Sequence, residues 1–138
     1  MKKIINFNNA VLASLFFIGL LILFHLFILV GIIFFEYAPI GFLWGGQMET
    51  VEQLLKFEIA SLLISILFFF LVLIRSKRLN LPKLMGVTRV AMWVLFVLFL
   101  LNTVGNLMAT TTFEKFFAIA TGFLAFFFLR IALEKNTD

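Results

Sequence analysis

His25, Glu58, Asn102, Asn106 and Glu114 are strongly polar side chains set within, or at the rim of, long hydrocarbon-rich runs. Such groups are costly in an apolar medium and usually face a bundle interior or a cavity, so they mark candidate sites. Their spacing is helical. Glu58, Ser61 and Ser65 fall at i, i+3 and i+7, and Asn102, Asn106 and Thr110 at i, i+4 and i+8, so each set forms one stripe. Ser14 and His25 share nearly one face of the first run, and Thr121 follows Glu114 by two turns. An imidazole, carboxylates and carboxamides can hold the polar head of a ligand or exchange protons with it.

Catalysis is a weaker reading of the same residues. Ser61 or Ser65 with His25 and Glu58 supplies the residue types of a nucleophilic triad. Neither serine sits in a nucleophile-elbow motif, so no catalytic residue is assigned. His25 with Glu58 as acid and base in an enzyme acting on a membrane lipid is the residual enzymatic reading. There is no cysteine, which removes disulfides, thiol relays and cysteine metal sites. A single histidine argues against a self-contained histidine metal site. Neither a metal nor a cofactor is expected.

The elements that must position these groups are four apolar runs, about 10–35, 57–74, 88–108 and 113–133. Each can cross roughly 30 Å of hydrocarbon as a helix. The chain is 64% hydrophobic and 13% charged, against about 25% charged in soluble domains. Its 21 phenylalanines suit a lipid-facing surface and not a wet one. The expected fold is all-α: one integral membrane four-helix bundle over 1–138, running up-down-up-down with short connections. Gly19, Gly31, Ser61, Ser65, Gly105, Ala109 and Gly122 are small enough to let helix backbones approach. Met1-Lys2-Lys3 before an apolar run has the outline of a signal peptide. At about 25 residues the run exceeds the 7–15 of a typical h-region, and it is read as an uncleaved span.

Charge sets the orientation. Lys2 and Lys3, then Arg75, Lys77, Arg78, Lys83 and Arg89, then Arg130 and Lys135 lie on one side, and most of the acids lie on the other. The positive-inside rule therefore places both termini in the cytoplasm of a bacterial plasma membrane. The net charge of +4 belongs to this topology. No aromatic-basic stripe points to nucleic acid.

The outer connection Tyr37–Thr50 holds Pro39, Gly41, Trp44, Gly45 and Gly46. Pro39 is expected to stop the first helix. Thr50 with Gln53, and Thr111 with Glu114, read as capping boxes opening the second and fourth helices. At ~1.5 Å per residue, Glu58 stands about 25 Å above Arg75, Asn102 about 20 Å above Arg89, and His25 about 24 Å above Asn9. All three fall in the outer part of the bilayer. The expected ligand-binding set is His25, Trp44, Glu58, Asn102, Asn106 and Glu114. Each has a plainer role available: helix-to-helix bonding for the asparagines and His25, pairing with Lys56 for Glu58, capping for Glu114, interface anchoring for Trp44.

The segments Leu43-Trp44-Gly45-Gly46-Gln47, Leu55-Lys56-Phe57-Glu58 and Leu101-Asn102-Thr103-Val104-Gly105-Asn106 resemble a family of small bacterial four-span proteins. Its pattern is a WGG outer loop, an FE pair opening the second span and an NTxGN string in the third. The resemblance implies a topology and brings no mechanism. The functional expectation is a binding or accessory protein with an outer-leaflet pocket for a lipid or small amphiphile. The alternative is a homo-oligomeric transporter of ions or small solutes. A purely structural subunit is a further reading, and any protein partner is expected to be a second copy or another membrane protein.

Overall fold

The computed structural model describes residues 3–135, so Lys2 lies outside the described residues. The described residues form four long helices and no strand: α1 (Phe7–Phe35), α2 (Val51–Arg75), α3 (Met85–Met108) and α4 (Thr112–Ala132). All four are long and apolar enough to cross a membrane, as expected of a small multi-pass membrane protein. Helices are the form in which a chain without water to bond its backbone satisfies every peptide group locally.

Three starts are capped by side chains, which accept amide protons that the first turn leaves unpaired. Asn6 Oδ1 accepts from the Asn9 N–H at 2.7 Å, Thr50 Oγ1 from Gln53 at 3.1 Å, and Thr111 Oγ1 from Glu114 at 3.2 Å. Both threonine caps form as expected, but neither box closes on the backbone N–H of its cap: Glu114 takes the Thr111 hydroxyl instead. The Gln53 side chain reaches the N–H of Glu49, one residue before the cap. Helix α3 is entered through a short 3-10 turn, Pro82–Leu84, with proline in its first position. Helix α1 ends sooner than Pro39 requires. Glu36 turns left-handed at φ 53°, and the Tyr37 N–H bonds back to the Gly31 carbonyl at 3.0 Å.

The helices close a ring, each packing on its neighbours in sequence and α4 returning to α1. The α3–α4 seam is the most extensive and the α2–α3 seam the thinnest. One end of the bundle carries the 36–50 loop, and the other carries most of the described basic residues and the first and last described residues, Lys3 and Lys135. The half nearer the basic end is dry and close-packed, with Val11, Ile18, Val72, Met92, Leu124 and Phe128 fully buried. Buried guanidinium groups lace its rim: Arg130 donates to the Ile5 carbonyl at 3.0 Å and to Glu134 at 2.7 Å, and Arg75 donates to the Glu134 carbonyl. A smaller cluster of Ile28, Leu43 and Leu54 sits at the loop end.

Small residues mark close approach less often than expected. A side chain added at Gly19 or Gly105 meets nothing within 4 Å, whereas one at Gly122 meets Thr103 at 3.7 Å. Next to that point, Thr103 and Thr121 share a hydrogen bond across α3 and α4 at 3.0 Å.

Candidate functional site

Between the two apolar clusters lies a cavity of about 250 Å³. Its walls come from all four helices and the loop. His25, Trp44, Glu58, Asn102, Asn106 and Glu114 all line it. The helical stripes account for this, because they turn His25, Glu58, Ser61, Ser65 and Asn106 toward the cavity and set Asn102 at its exposed edge.

Glu58 organises the site. It is 1% exposed, and its two oxygens are taken by two different elements. Oε2 lies 2.7 Å from His25 Nδ1 on α1, and Oε1 accepts the Trp44 indole N–H at 2.9 Å. The Lys56 pairing does not form, since Lys56 bonds Glu52 at 2.7 Å on the exposed face. Burying a carboxylate is tolerable only when such bonds satisfy it. Trp44 reaches inward because its own backbone is left-handed (φ 55°), followed by Gly45 (φ 69°) and Gly46 (φ 67°). Left-handed backbone strains a residue that bears a Cβ, so the tertiary contacts of the loop must hold Trp44 there.

Glu114 makes the second tie. One oxygen accepts the Gly45 backbone N–H, and the other accepts the Thr111 hydroxyl at 2.7 Å. The residue therefore caps its helix and also clamps the loop. Two carboxylates, one each from α2 and α4, pin consecutive residues of the WGG turn. Beyond them a second hollow, of about 340 Å³, shares Trp44, Asn106 and Glu114 with the first. Those three side chains form the partition between an inner cavity and an outer vestibule.

The asparagines do not bond neighbouring helices. Neither Asn102 nor Asn106 makes a side-chain hydrogen bond among the described residues, and both line the cavity. Ser61 and Ser65 are alike in this, and Ser65 is only 6% exposed. His25 uses Nδ1 on Glu58 and leaves Nε2 unengaged. The cavity wall thus carries polar groups with spare bonding capacity, held against an apolar background.

The sequence reading placed Ser61 and Ser65 on the right stripe but left them out of the set. It missed the aromatic wall altogether. Phe24, Phe113 and Phe117 form a triangle with ring centroids 5.0–6.2 Å apart. Their only sequence signal is position, one turn apart on α4 and beside His25 on α1; residue type does not separate them from the other phenylalanines.

The floor is the dry core, where Phe68 and Phe99 pack edge to face at 6.0 Å. The side between α2 and α3 is the open one, since Ile64 and Asn102 line the cavity and are exposed. Among the described residues no three His, Asp or Glu side chains converge as metal ligands do. Comparison with protein-family models, with curated proteins and with solved structures finds no match.

Proposed function

We propose that this membrane protein binds the polar head of a lipid or small amphiphile in the cavity between its four helices. The observation that carries the proposal is the row of unbonded polar side chains. Ser61, Ser65, Asn102, Asn106 and His25 Nε2 all face one hollow lined with phenylalanine. A group that only supported the fold would be expected to spend its hydrogen bonds on the protein.

Size and shape support an amphiphile over a wholly enclosed solute. Pockets that engulf a drug-sized ligand measure roughly 300–1,000 Å³, and this cavity holds about 250 Å³. It fits a headgroup, and the thin α2–α3 seam gives a tail a lateral way into lipid. We place the loop end outward and both termini in the cytoplasm of a bacterial plasma membrane, following the positive-inside bias. His25, Trp44, Glu58, Asn102, Asn106 and Glu114 then sit in the outer leaflet. Glu58 and Glu114 shape the site, and the asparagines and serines face the ligand. Helix-to-helix packing below the cavity supports binding over conduction through one copy.

The experiment is lipid analysis of protein purified in a mild detergent, comparing the native chain with Asn102→Leu. A discrete amphiphile should co-purify in near-stoichiometric amount with the native chain and fall at least several-fold in the variant. Equal, non-stoichiometric lipid in both would overturn the reading.

A further inference from the structure

We infer that the amphiphile is positively charged, its head an ammonium group of the amine or quaternary type. This rests on the binding reading above and adds the charge of the ligand. Of the residues lining the two hollows, those able to carry charge are His25, Glu58 and Glu114, and no lysine or arginine lines either. With both acids ionised, two carboxylates against one imidazole leave at least one negative charge unmatched by a side chain. The amino end of α4 offsets part of the Glu114 charge. Glu58 lies two turns into α2, beyond the reach of that helix end. In a low-dielectric surrounding such a charge acts strongly on whatever enters. A phosphate head would meet carboxylates and no cation, whereas the anion-binding sites of proteins supply arginine, lysine or free backbone amides.

The wall chemistry points the same way independently of charge. Aromatic ring faces attract ammonium groups, and the Phe24, Phe113 and Phe117 triangle lines the same cavity as Trp44. Ser65, more than nine-tenths buried, turns an unbonded hydroxyl into the same hollow, and Asn102 and Asn106 offer carboxamide oxygens to ammonium N–H groups. The apolar α2–α3 gap then takes the hydrocarbon tail.

The test uses the full chain with Trp93→Phe, which leaves Trp44 as the sole tryptophan reporter, in nanodiscs of a neutral galactolipid that carries neither ammonium nor phosphate. Three probes of equal chain length are titrated: decyltrimethylammonium, decyl maltoside and decyl phosphate. The expected result is a saturable change in Trp44 emission with the cation, at least tenfold weaker with the sugar head and absent with the phosphate. Glu114→Gln, which keeps the amide and hydroxyl bonds of that position available, should weaken the cation at least fivefold and leave the others unchanged. Glu58→Gln is the second variant, scored only if its melting temperature stays within a few degrees. Equal or tighter binding of the uncharged probe would overturn the charge assignment and leave the pocket standing. Saturable binding of none of the three would overturn both.

Discussion

His25 Nδ1 and Glu58 Oε2 lie 2.7 Å apart, joining α1 to α2 across the interior, and the other Glu58 oxygen holds Trp44 at 2.9 Å. One carboxylate thus couples two helices and the loop. Glu58→Leu strands an imidazole and an indole N–H in a buried place. It should lower unfolding free energy by about 2–4 kcal/mol, the usual effect of leaving buried polar partners unmet. His25→Leu combined with Glu58→Leu should cost less than the sum of the two single changes, by about 1–3 kcal/mol. Reversible unfolding in mixed micelles measures all three. Strict additivity would show that the two residues do not act as a pair.

Asn102 should behave in the opposite manner. Its carboxamide bonds no described residue, so Asn102→Leu should change stability by no more than about 0.5 kcal/mol. Amphiphile retention should nonetheless drop several-fold. A parallel loss of both would assign Asn102 to the fold.

Gly46 sits at φ 67°, and a Cβ there would come 3.2 Å from the Gly41 carbonyl oxygen. Gly46→Ala meets both penalties. Left-handed backbone alone costs a residue with a Cβ roughly 1–2 kcal/mol. The loop should cleave faster under limited proteolysis between residues 37 and 50, with helical circular dichroism unchanged. Undiminished protease resistance would mean that the turn relaxes freely.

The Thr103–Thr121 bond spans α3 and α4 beside Gly122. Interhelical hydrogen bonds in membranes average about 0.6 kcal/mol, and Thr121→Val should lose about that much. No loss in the same micelle unfolding assay would show that the bond contributes nothing to the α3–α4 contact.

The spans were legible because lipid leaves so little choice. Apolar runs of that length must be helices, and the largest shifts in their boundaries are at the starts, where the caps Asn6 and Thr50 and the Pro82–Leu84 turn lengthen α1, α2 and α3. The polar stripes were legible for the same reason, since a fixed helical period converts spacing into facing. What the sequence hid depends on the loop. That Trp44 turns inward follows from its left-handed φ, a conformation that residue type argues against. The left-handed end of α1 at Glu36, where glycine would be the usual choice, was hidden in the same way. That the Asn102 and Asn106 side chains bond no described residue could not be read either. A polar residue on an inner face bonds a neighbour or waits for a guest according to distances that only packing sets.

The bundle is solid at its basic end and hollow at its loop end. Folding information is concentrated in the solid part, where Ile18, Val72, Met92 and Phe128 leave no room for change. The hollow part mixes ties such as Glu58 and Glu114 with side chains such as Ser61, Asn102 and Asn106 that hold no hydrogen bond to a described residue. Substitutions at those unbonded positions can therefore be accommodated around the hollow while the scaffold stays intact. Slow amide exchange should map onto the solid part and faster exchange onto the hollow one, so the boundary between the two parts is also a boundary in local stability.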